Sequence, residues 1–156
     1  DHRDLHSFPT RRSSDLVLPT STGDNKYRIN EGAFYKCSKL KNINFPDNLH
    51  EIGYQAFAYS GFTSIDLTNF CHQKVMLMSG QVFAYCENLE EVTITLEQRY
   101  LPELTFYECS KLTKINYLGT IEQWNKITKY NQWDYGTADY IVYCNDGNLT
   151  KEEVNA

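Results

Sequence analysis

Apolar side chains return along this chain at an interval much longer than one turn of a helix. The clearest marker is a phenylalanine followed three residues later by cysteine or serine. It occurs four times, with spacings of 23, 26 and 23 residues, at Phe34, Phe57, Phe83 and Phe106. A segment of the type L-x-x-L-x-L follows each marker, at residues 40–45, 62–67, 89–94 and 112–117. Such an interval indicates a repeat protein in which each unit forms one coil of a stack.

Within one unit the pattern predicts a strand with one buried face. Ile43 and Phe45 alternate with Asn42 and Asn44, which is the period of two that a half-buried strand shows. Pro46 ends this strand because proline has no amide hydrogen for a sheet. Since one unit cannot bury its apolar face alone, the units must stack, and their strands then run in the same direction. We expect a parallel sheet whose core includes Ile43, Phe45, Ile65, Leu67, Val92, Ile94 and Ile115.

The units resemble a known family of repeats. Residues 31–53, EGAFYKCSKLKNINFPDNLHEIG, are similar to the BspA-like, spirochaete-type leucine-rich repeat, whose units run to about 23 residues. The resemblance covers residues 16–117. It implies a leucine-rich-repeat solenoid, rich in β structure, with one short parallel strand per coil. The third unit departs from the pattern by three extra residues, and the fourth has Pro102 in place of the usual Gly-Ala before the phenylalanine.

The repeats are expected to occupy residues 17–118, in about four coils, and to end in a C-terminal cap at 119–150. Thr120 and Gln123 show the capping-box pattern that opens a short helix. Its inward side chains would be Ile121, Trp124 and Ile127. The segment YLGTIEQWNKI also resembles the one that often closes such arrays.

The rest of the predicted cap is a strand and a turn. Residues 139–144 read as the strand, and 145–147, Asn-Asp-Gly, as the turn. A cap is needed because an open solenoid end exposes apolar core and unpaired strand edges. Residues 151–156 are predicted to be a frayed tail.

The first sixteen residues, DHRDLHSFPTRRSSDL, resemble a translated sequencing adapter. Read in triplets, a standard library adapter encodes residues 1–15 one for one, and its last two bases encode Leu16. We therefore expect residues 1–16 to be a disordered artefact, joined to a gene fragment assembled from a mixed sample. The natural N-terminus and any signal peptide would then be missing. The alternative, a basic N-terminal arm, is disfavoured because three aspartates offset its three arginines.

Composition and charge narrow the classes of function. Apolar residues make up 41% of the 156 residues and charged residues 22%, so the chain has enough apolar material for a core. The net charge of −5 disfavours a nucleic-acid-binding surface. No apolar run approaches the ~18 residues of a membrane span. Tyrosine is unusually frequent, and four tyrosines follow the phenylalanine markers, either as a recognition surface or as cover for the core edge: Tyr35, Tyr59, Tyr85 and Tyr107.

The cysteines fit packing better than chemistry. Cys37, Cys86 and Cys109 share one repeat position, which predicts a buried ladder of small side chains. A disulfide between Cys86 and Cys109 in neighbouring coils is geometrically possible. Residues 71–72, Cys-His, could form part of a metal site with Cys86, but no ligand spacing supports one. No nucleophile motif or phosphate-binding loop occurs, so we expect no catalytic residue, no cofactor and no metal.

What remains for function is the outward side of the strands. We predict a candidate binding face, polar and of mixed charge, with these members: Lys41, Asn42, Asn44, Thr63, Ser64, Asp66, Glu90, Glu91, Thr93, Thr113, Lys114 and Asn116. The alternative is that these are only solvated positions, which any one-sided sheet needs.

The family resemblance implies a parent protein on the bacterial cell surface or secreted from the cell, and we expect this chain to be a monomeric, non-enzymatic binding module of it. It would mediate adhesion by binding a protein or glycan. The rival hypothesis is an accessory or spacer region of a larger surface enzyme such as a hydrolase.

Overall fold

The computed structural model describes residues 4–5, 14–18, 27–46, 49–68 and 77–156. These contain only short strands and two short helices. In chain order they are β1 (Asp4–Leu5), β2 (Asp15–Val17), β3 (Tyr27–Ile29), β4 (Asn42–Asn44), β5 (Leu49–Ile52), β6 (Ser64–Asp66), β7 (Leu77–Met78), β8 (Glu91–Ile94), β9 (Tyr100–Leu101), β10 (Lys114–Tyr117), α1 (Ile121–Asn125), β11 (Thr128–Lys129), β12 (Ile141–Cys144), β13 (Gly147–Thr150) and α2 (Lys151–Val154).

The strands stack as the repeats predict. One sheet has the order β6, β8, β10, β12 and β13, and all its pairs are parallel except the last. Its register aligns Ile65 with Val92, Val92 with Ile115, and Ile115 with Val142. Strands β1, β3, β5 and β7 form a second sheet, with the β9–β11 and β2–β4 pairs beside these two. The predicted leucine-rich-repeat solenoid with parallel strands is confirmed.

Aromatic rings run through the core in a continuous stack. The ring centroids of Phe34 and Phe57 lie 5.1 Å apart, those of Phe57 and Phe83 5.8 Å, and those of Phe83 and Phe106 5.9 Å, all nearly parallel. Trp133 continues the stack, 6.2 Å from Phe106 and edge-on. The rings are buried, so each coil covers the aromatic face of the coil before it, as one phenylalanine marker per coil requires.

The coil continues further than the repeat in the sequence. Main-chain ladders join neighbouring coils, with each marker amide donating to the residue just before the next marker: Phe34 N to Ala56 O, Phe57 N to Val82 O and Phe83 N to Thr105 O. The next bond runs from Phe106 N to Trp133 O, at 2.7 Å. Asp134 therefore occupies the phenylalanine position of a further coil. The repeat pattern of side chains ends after residue 118, as expected, but the coil itself continues. This is possible because hydrogen bonds between main-chain atoms do not depend on the side chains.

The predicted helix of the cap is present. Thr120 is the N-cap of α1, and it forms a capping box with Gln123. Trp124 is fully buried and packs against Tyr117, with 5.3 Å between ring centroids. Ile127 is buried, and Ile121 is half-buried. The predicted strand and turn are also present, as β12 and its antiparallel partner β13.

The expected frayed tail is wrong. Residues 151–154 form α2, whose N-cap Thr150 forms a capping box with Glu153. Lys151 Nζ donates to the carbonyls of Thr137 and Ala138, at 2.9 and 3.3 Å. Asn155 Nδ2 donates to Asp134 Oδ2 at 3.0 Å. These contacts join residues 13 to 21 positions apart. The sequence pattern of a short polar tail therefore cannot predict them.

Short strands also occur in the segment expected to be disordered. β1 pairs with β3 and β2 with β4, both in parallel. The carbonyl of Ser14 accepts hydrogen bonds from the amides of Lys41 and Asn42, at 2.7 and 3.0 Å. At these residues the structure differs from the expected disorder, since main-chain pairing needs no particular side chain. The other residues of 1–16 lie outside the described part, and their adapter origin stays a prediction.

Candidate binding surface

The twelve residues of the candidate binding face all lie outside the core. Eight are exposed and four half-buried. Thr63, Glu90 and Thr113 precede their strands, and their carbonyls accept hydrogen bonds from the next coil: Thr63 O from Glu90 and Glu91, Glu90 O from Thr113 and Lys114, and Thr113 O from Ile141. Their main chain thus holds the coils together while their side chains point to solvent.

Two rows of this face are in register across the coils. Asp66 aligns with Thr93, and Thr93 with Asn116. Ser64 aligns with Glu91, and Glu91 with Lys114. Neighbouring members of a row are therefore one strand spacing apart, about 4.8 Å. Lys41 directly precedes β4. Asn42 and Asn44 lie in β4, which forms its ladder with β2.

Strand β12 extends both rows by one coil. Ile141 aligns with Lys114, and Tyr143 with Asn116. Both side chains are partly exposed, at 36% and 39%. Sequence reasoning missed them because it assigned residues 139–144 to a non-repeating cap. The alternation of Tyr140 and Val142 with outward neighbours was the signal that could have found them.

A polar network holds the middle of the face. Glu91 Oε1 accepts hydrogen bonds from Lys114 Nζ at 3.1 Å and from Asn116 Nδ2 at 2.5 Å. These contacts, the one with Lys114 first, lower the pKa of Glu91. Asn116 also reaches Thr93 Oγ1 at 3.5 Å, and the Lys114 ammonium lies 5.8 Å from the ring centroid of Tyr143. Four side chains from β8 and β10 are therefore connected by these contacts in the chain on its own.

The ends of the face have their own contacts. Asn42 Nδ2 donates to Asp15 Oδ1 at 2.6 Å. Asp66 Oδ1 accepts from the amide of Thr68 at 2.8 Å. Both contacts orient polar side chains without burying them.

The repeat-position cysteines line the core. Cys86 Sγ donates to Phe57 O at 3.4 Å, Cys109 Sγ to Phe83 O at 3.2 Å, and Ser60 Oγ makes the same contact with Phe34 O at 3.3 Å. Cys37, Cys86 and Cys109 are buried and in the free thiol form. Burial raises the pKa of Cys86 to about 12 and that of Cys109 well above its usual value. Thiols that keep their protons are poor nucleophiles and poor metal ligands.

The part of the chain that the structure describes contains neither a metal cluster nor a membrane-spanning helix. No group of three His, Cys, Asp or Glu side chains there could hold a metal ion. The candidate pair at 71–72 lies outside the described residues. Neither described helix is long and apolar enough to cross a membrane.

The stacked parallel strands, the aromatic core and the outward polar rows define a leucine-rich-repeat solenoid. Six copies of the BspA type leucine rich repeat region match residues 9–132. The chain therefore belongs to this family, as the resemblance of its units predicted. No curated protein matches it significantly.

Two solved structures have a similar fold. A leucine rich cell surface protein from Faecalibacterium prausnitzii A2-165 is 25% identical, with a TM-score of 0.61, over 78% of this chain and 37% of that one. A leucine-rich repeat protein from Bacteroides ovatus ATCC 8483 is 22% identical, with a TM-score of 0.52, over 80% of this chain and 35% of that one, which shows the fold alone. The chain spans little more than a third of either protein.

Proposed function

We propose that the chain is a non-enzymatic binding module that holds a protein or glycan partner on its strand face. The network of Glu91, Lys114, Asn116 and Thr93 carries this proposal. Its side chains are at least partly exposed, and they are already ordered. Because these side chains are already ordered, binding a partner costs them little conformational entropy. Several weak contacts can then add up to a measurable affinity.

The cellular setting is part of the proposal. The similar protein from F. prausnitzii is described as a cell surface protein, and repeat solenoids commonly present extended recognition surfaces. A cell-surface or secreted location, with a role in adhesion, is consistent with both. The high pKa of Cys86 and the buried position of Cys109 support a role without chemistry.

The test is a binding screen with paired variants. The purified chain is applied to an array of glycans and extracellular matrix proteins, and each hit is then measured in solution. Changing Asp66→Lys together with Asn116→Lys should weaken binding at least tenfold, because it reverses one charge and breaks the Glu91 network. Circular dichroism and melting temperature should stay unchanged.

The matched control carries the same change in charge elsewhere. Glu122→Lys with Thr128→Lys alters two exposed residues, one in α1 and one in β11. The Glu122 pair with Lys126 is exposed and contributes little. Affinity that falls equally in both double variants would reflect net charge alone and would contradict a strand-face site.

A second candidate is an accessory or spacer region of a larger surface enzyme. The observation in its favour is length, since the chain spans only 37% of the F. prausnitzii protein. A pure spacer predicts that the isolated chain binds nothing on the array, and that replacing it by an unrelated solenoid of equal length preserves the function of the parent protein.

A further inference from the structure

A second surface lies away from the strand face, where the coils turn after each phenylalanine marker. Five tyrosines form a continuous ladder there: Tyr35, Tyr59, Tyr85, Tyr107 and Tyr135. Successive ring centroids are 5.5, 4.5, 5.4 and 5.3 Å apart. All five side chains are partly or largely exposed. The ladder crosses five coils and uses five of the twelve tyrosines.

The fold does not require tyrosine at these positions. Ladder tyrosines follow the phenylalanine by one residue in some coils and by two in others, yet neighbouring rings stay in contact. Two of the four pairs are stacked and two are edge-on. Tyr59 and Tyr85 have positive φ values, 60° and 59°. Gly136 meets the same backbone requirement in the last coil, with a φ of 75°, and a glycine has no side-chain penalty there. Lys36 and Glu108 hold the same position in their coils, with φ values of 58° and 57°, so this backbone conformation belongs to every coil and does not depend on tyrosine.

The ladder forms one wall of a cleft. The cleft has a volume of about 380 Å³, and its lining includes Lys36, Tyr59, Gly61, Tyr85, Glu87 and Asn88. It is an open surface groove, with a volume at the lower end of the range for small-ligand sites, roughly 300–1,000 Å³. Gly61 lines it where two coils pack closely, because a Cβ there would lie 2.1 Å from the carbonyl oxygen of Ser38. The cleft therefore spans three coils.

The groups around this cleft suit a ligand rich in hydroxyls. Lys36 donates hydrogen bonds, the Glu87 carboxylate accepts them, and the Asn88 amide does both. Lys36 and Glu87 offset each other, so the site selects neither anions nor cations. Burial and the neighbouring Tyr85 raise the pKa of Tyr59, and its hydroxyl therefore keeps its proton at neutral pH. Tyr59 and Tyr85 stack face to face, with 4.5 Å between ring centroids, and the Lys36 ammonium lies 5.6 Å from the Tyr59 centroid. A sugar would therefore contact the exposed ring edges and hydroxyls of these tyrosines.

We propose that this tyrosine-lined cleft is a binding site for a neutral glycan, with successive sugar rings lying along the ladder. The ladder advances by one tyrosine per coil, a step comparable to the length of one pyranose ring. Each coil would then contact one sugar residue, and the same kind of contact would recur from coil to coil. The site is distinct from the strand face, so it holds or fails independently of the function proposed above.

The experiment is calorimetric titration of the purified full chain with defined probes. The neutral set contains gluco-, manno-, xylo- and galacto-oligosaccharides of four to six units. The acidic set contains oligogalacturonate and heparin fragments. We expect saturable binding of at least one neutral oligosaccharide. Failure of the whole neutral set, or binding of the acidic set alone, would overturn the proposal.

Variants then locate the site. Tyr59→Ala should abolish detectable binding, and Glu87→Gln, which keeps the shape of the side chain, should weaken it about tenfold through the loss of a charged acceptor. Tyr59→Phe keeps the ring stack and guards against a folding defect, and it should retain part of the affinity. The control Tyr130→Ala removes a tyrosine that is 54% exposed and belongs to neither the ladder nor the strand face, and it should leave affinity unchanged.

The outcomes separate this site from the strand face. Loss of affinity in the cleft variants with an unchanged Asp66→Lys, Asn116→Lys double variant supports the cleft. The reverse pattern moves the glycan to the strand face and overturns the cleft proposal. Equal affinity in wild type and Glu87→Gln, together with full binding by Tyr59→Ala, would also overturn it.

Discussion

The hydroxyl of Tyr140 donates a 2.7 Å hydrogen bond to Oδ2 of Asp134, and this contact closes the last coil of the solenoid. Asp134 stands where the preceding coils have phenylalanine, and it is 8% exposed. Trp133, one residue earlier, covers the ring of Phe106 in its place. Asn155 supplies the carboxylate with a second donor. A buried carboxylate needs such partners. The aromatic stack therefore ends at a hydrogen-bonded polar group, to which the C-terminal tail contributes Asn155.

The tail should contribute to stability. Asn155→Ala removes a hydrogen bond to the buried Asp134 carboxylate and is expected to cost about 1 kcal/mol of unfolding free energy. Urea unfolding monitored by tryptophan fluorescence measures this. Glu152→Ala is the control, because Glu152 is exposed on the same helix. Identical urea midpoints for Asn155→Ala and wild type would contradict the docked tail.

Tyr140 should make the protein sensitive to alkali. Burial, and then the hydrogen bond to Asp134, raise the pKa of Tyr140 well above its usual value of 10.0. Above pH 10 the unfolded chain ionises this phenol while the folded chain does not. Stability is therefore complete below pH 10 and falls as the pH rises beyond it, by about 1 kcal/mol per pH unit for this group.

The variant Tyr140→Phe tests this effect. It should lower stability at pH 7, because Asp134 loses a donor, and it should reduce the loss of stability between pH 10 and pH 11. Tyr130→Phe is the matched control, since Tyr130 is 54% exposed. Parallel alkaline curves for wild type and Tyr140→Phe would argue against a buried phenol.

The aromatic stack predicts a strong contrast between inward and outward residues of one unit. Phe57 is fully buried and has four aromatic neighbours among the described residues, including Phe34 and Phe83. Phe57→Ala should cost about 3–5 kcal/mol. Thr63→Ala should stay within about 0.5 kcal/mol, because the Thr63 side chain is exposed. Comparable urea midpoints for the two variants would refute this coil register.

The thiols should differ in reactivity by position. Burial raises the pKa of all three thiols, but Cys86 and Cys109 are fully buried, while Cys144 is half-buried and accessible to a reagent. Treatment of the native protein with iodoacetamide at pH 8 should modify Cys144 and spare the other two. Peptide mapping by mass spectrometry measures the modified fraction. In a urea concentration that unfolds the protein, on the order of 8 M, all three thiols should react. Rapid modification of Cys86 in the native protein would contradict its buried position.

The sequence alone determined the features that depend on local pattern. Burial recurs once per coil, so the phenylalanine spacing predicted the stack from Phe34 to Phe106. Alternation at 42–45 predicted which side of each strand faces the core, although Ile43, expected in the core, is only half-buried against it. The Thr120–Gln123 capping box is a contact over three residues, and it was predicted for the same reason. The outward rows followed from alternation, although their role as a binding site stays a prediction.

Only the tertiary structure decided how the repeat ends. Asp134 takes a phenylalanine position because main-chain ladders set the register, and main-chain atoms are the same in every residue. Tyr143 joins the outward row for the same reason. The contacts of Asn155 with Asp134 and of Lys151 with Thr137 link residues far apart in sequence, so they exist only once the last coil has formed. The tyrosine ladder is aligned by the stacking of coils, and its shifting offset from the phenylalanines conceals that alignment in the sequence.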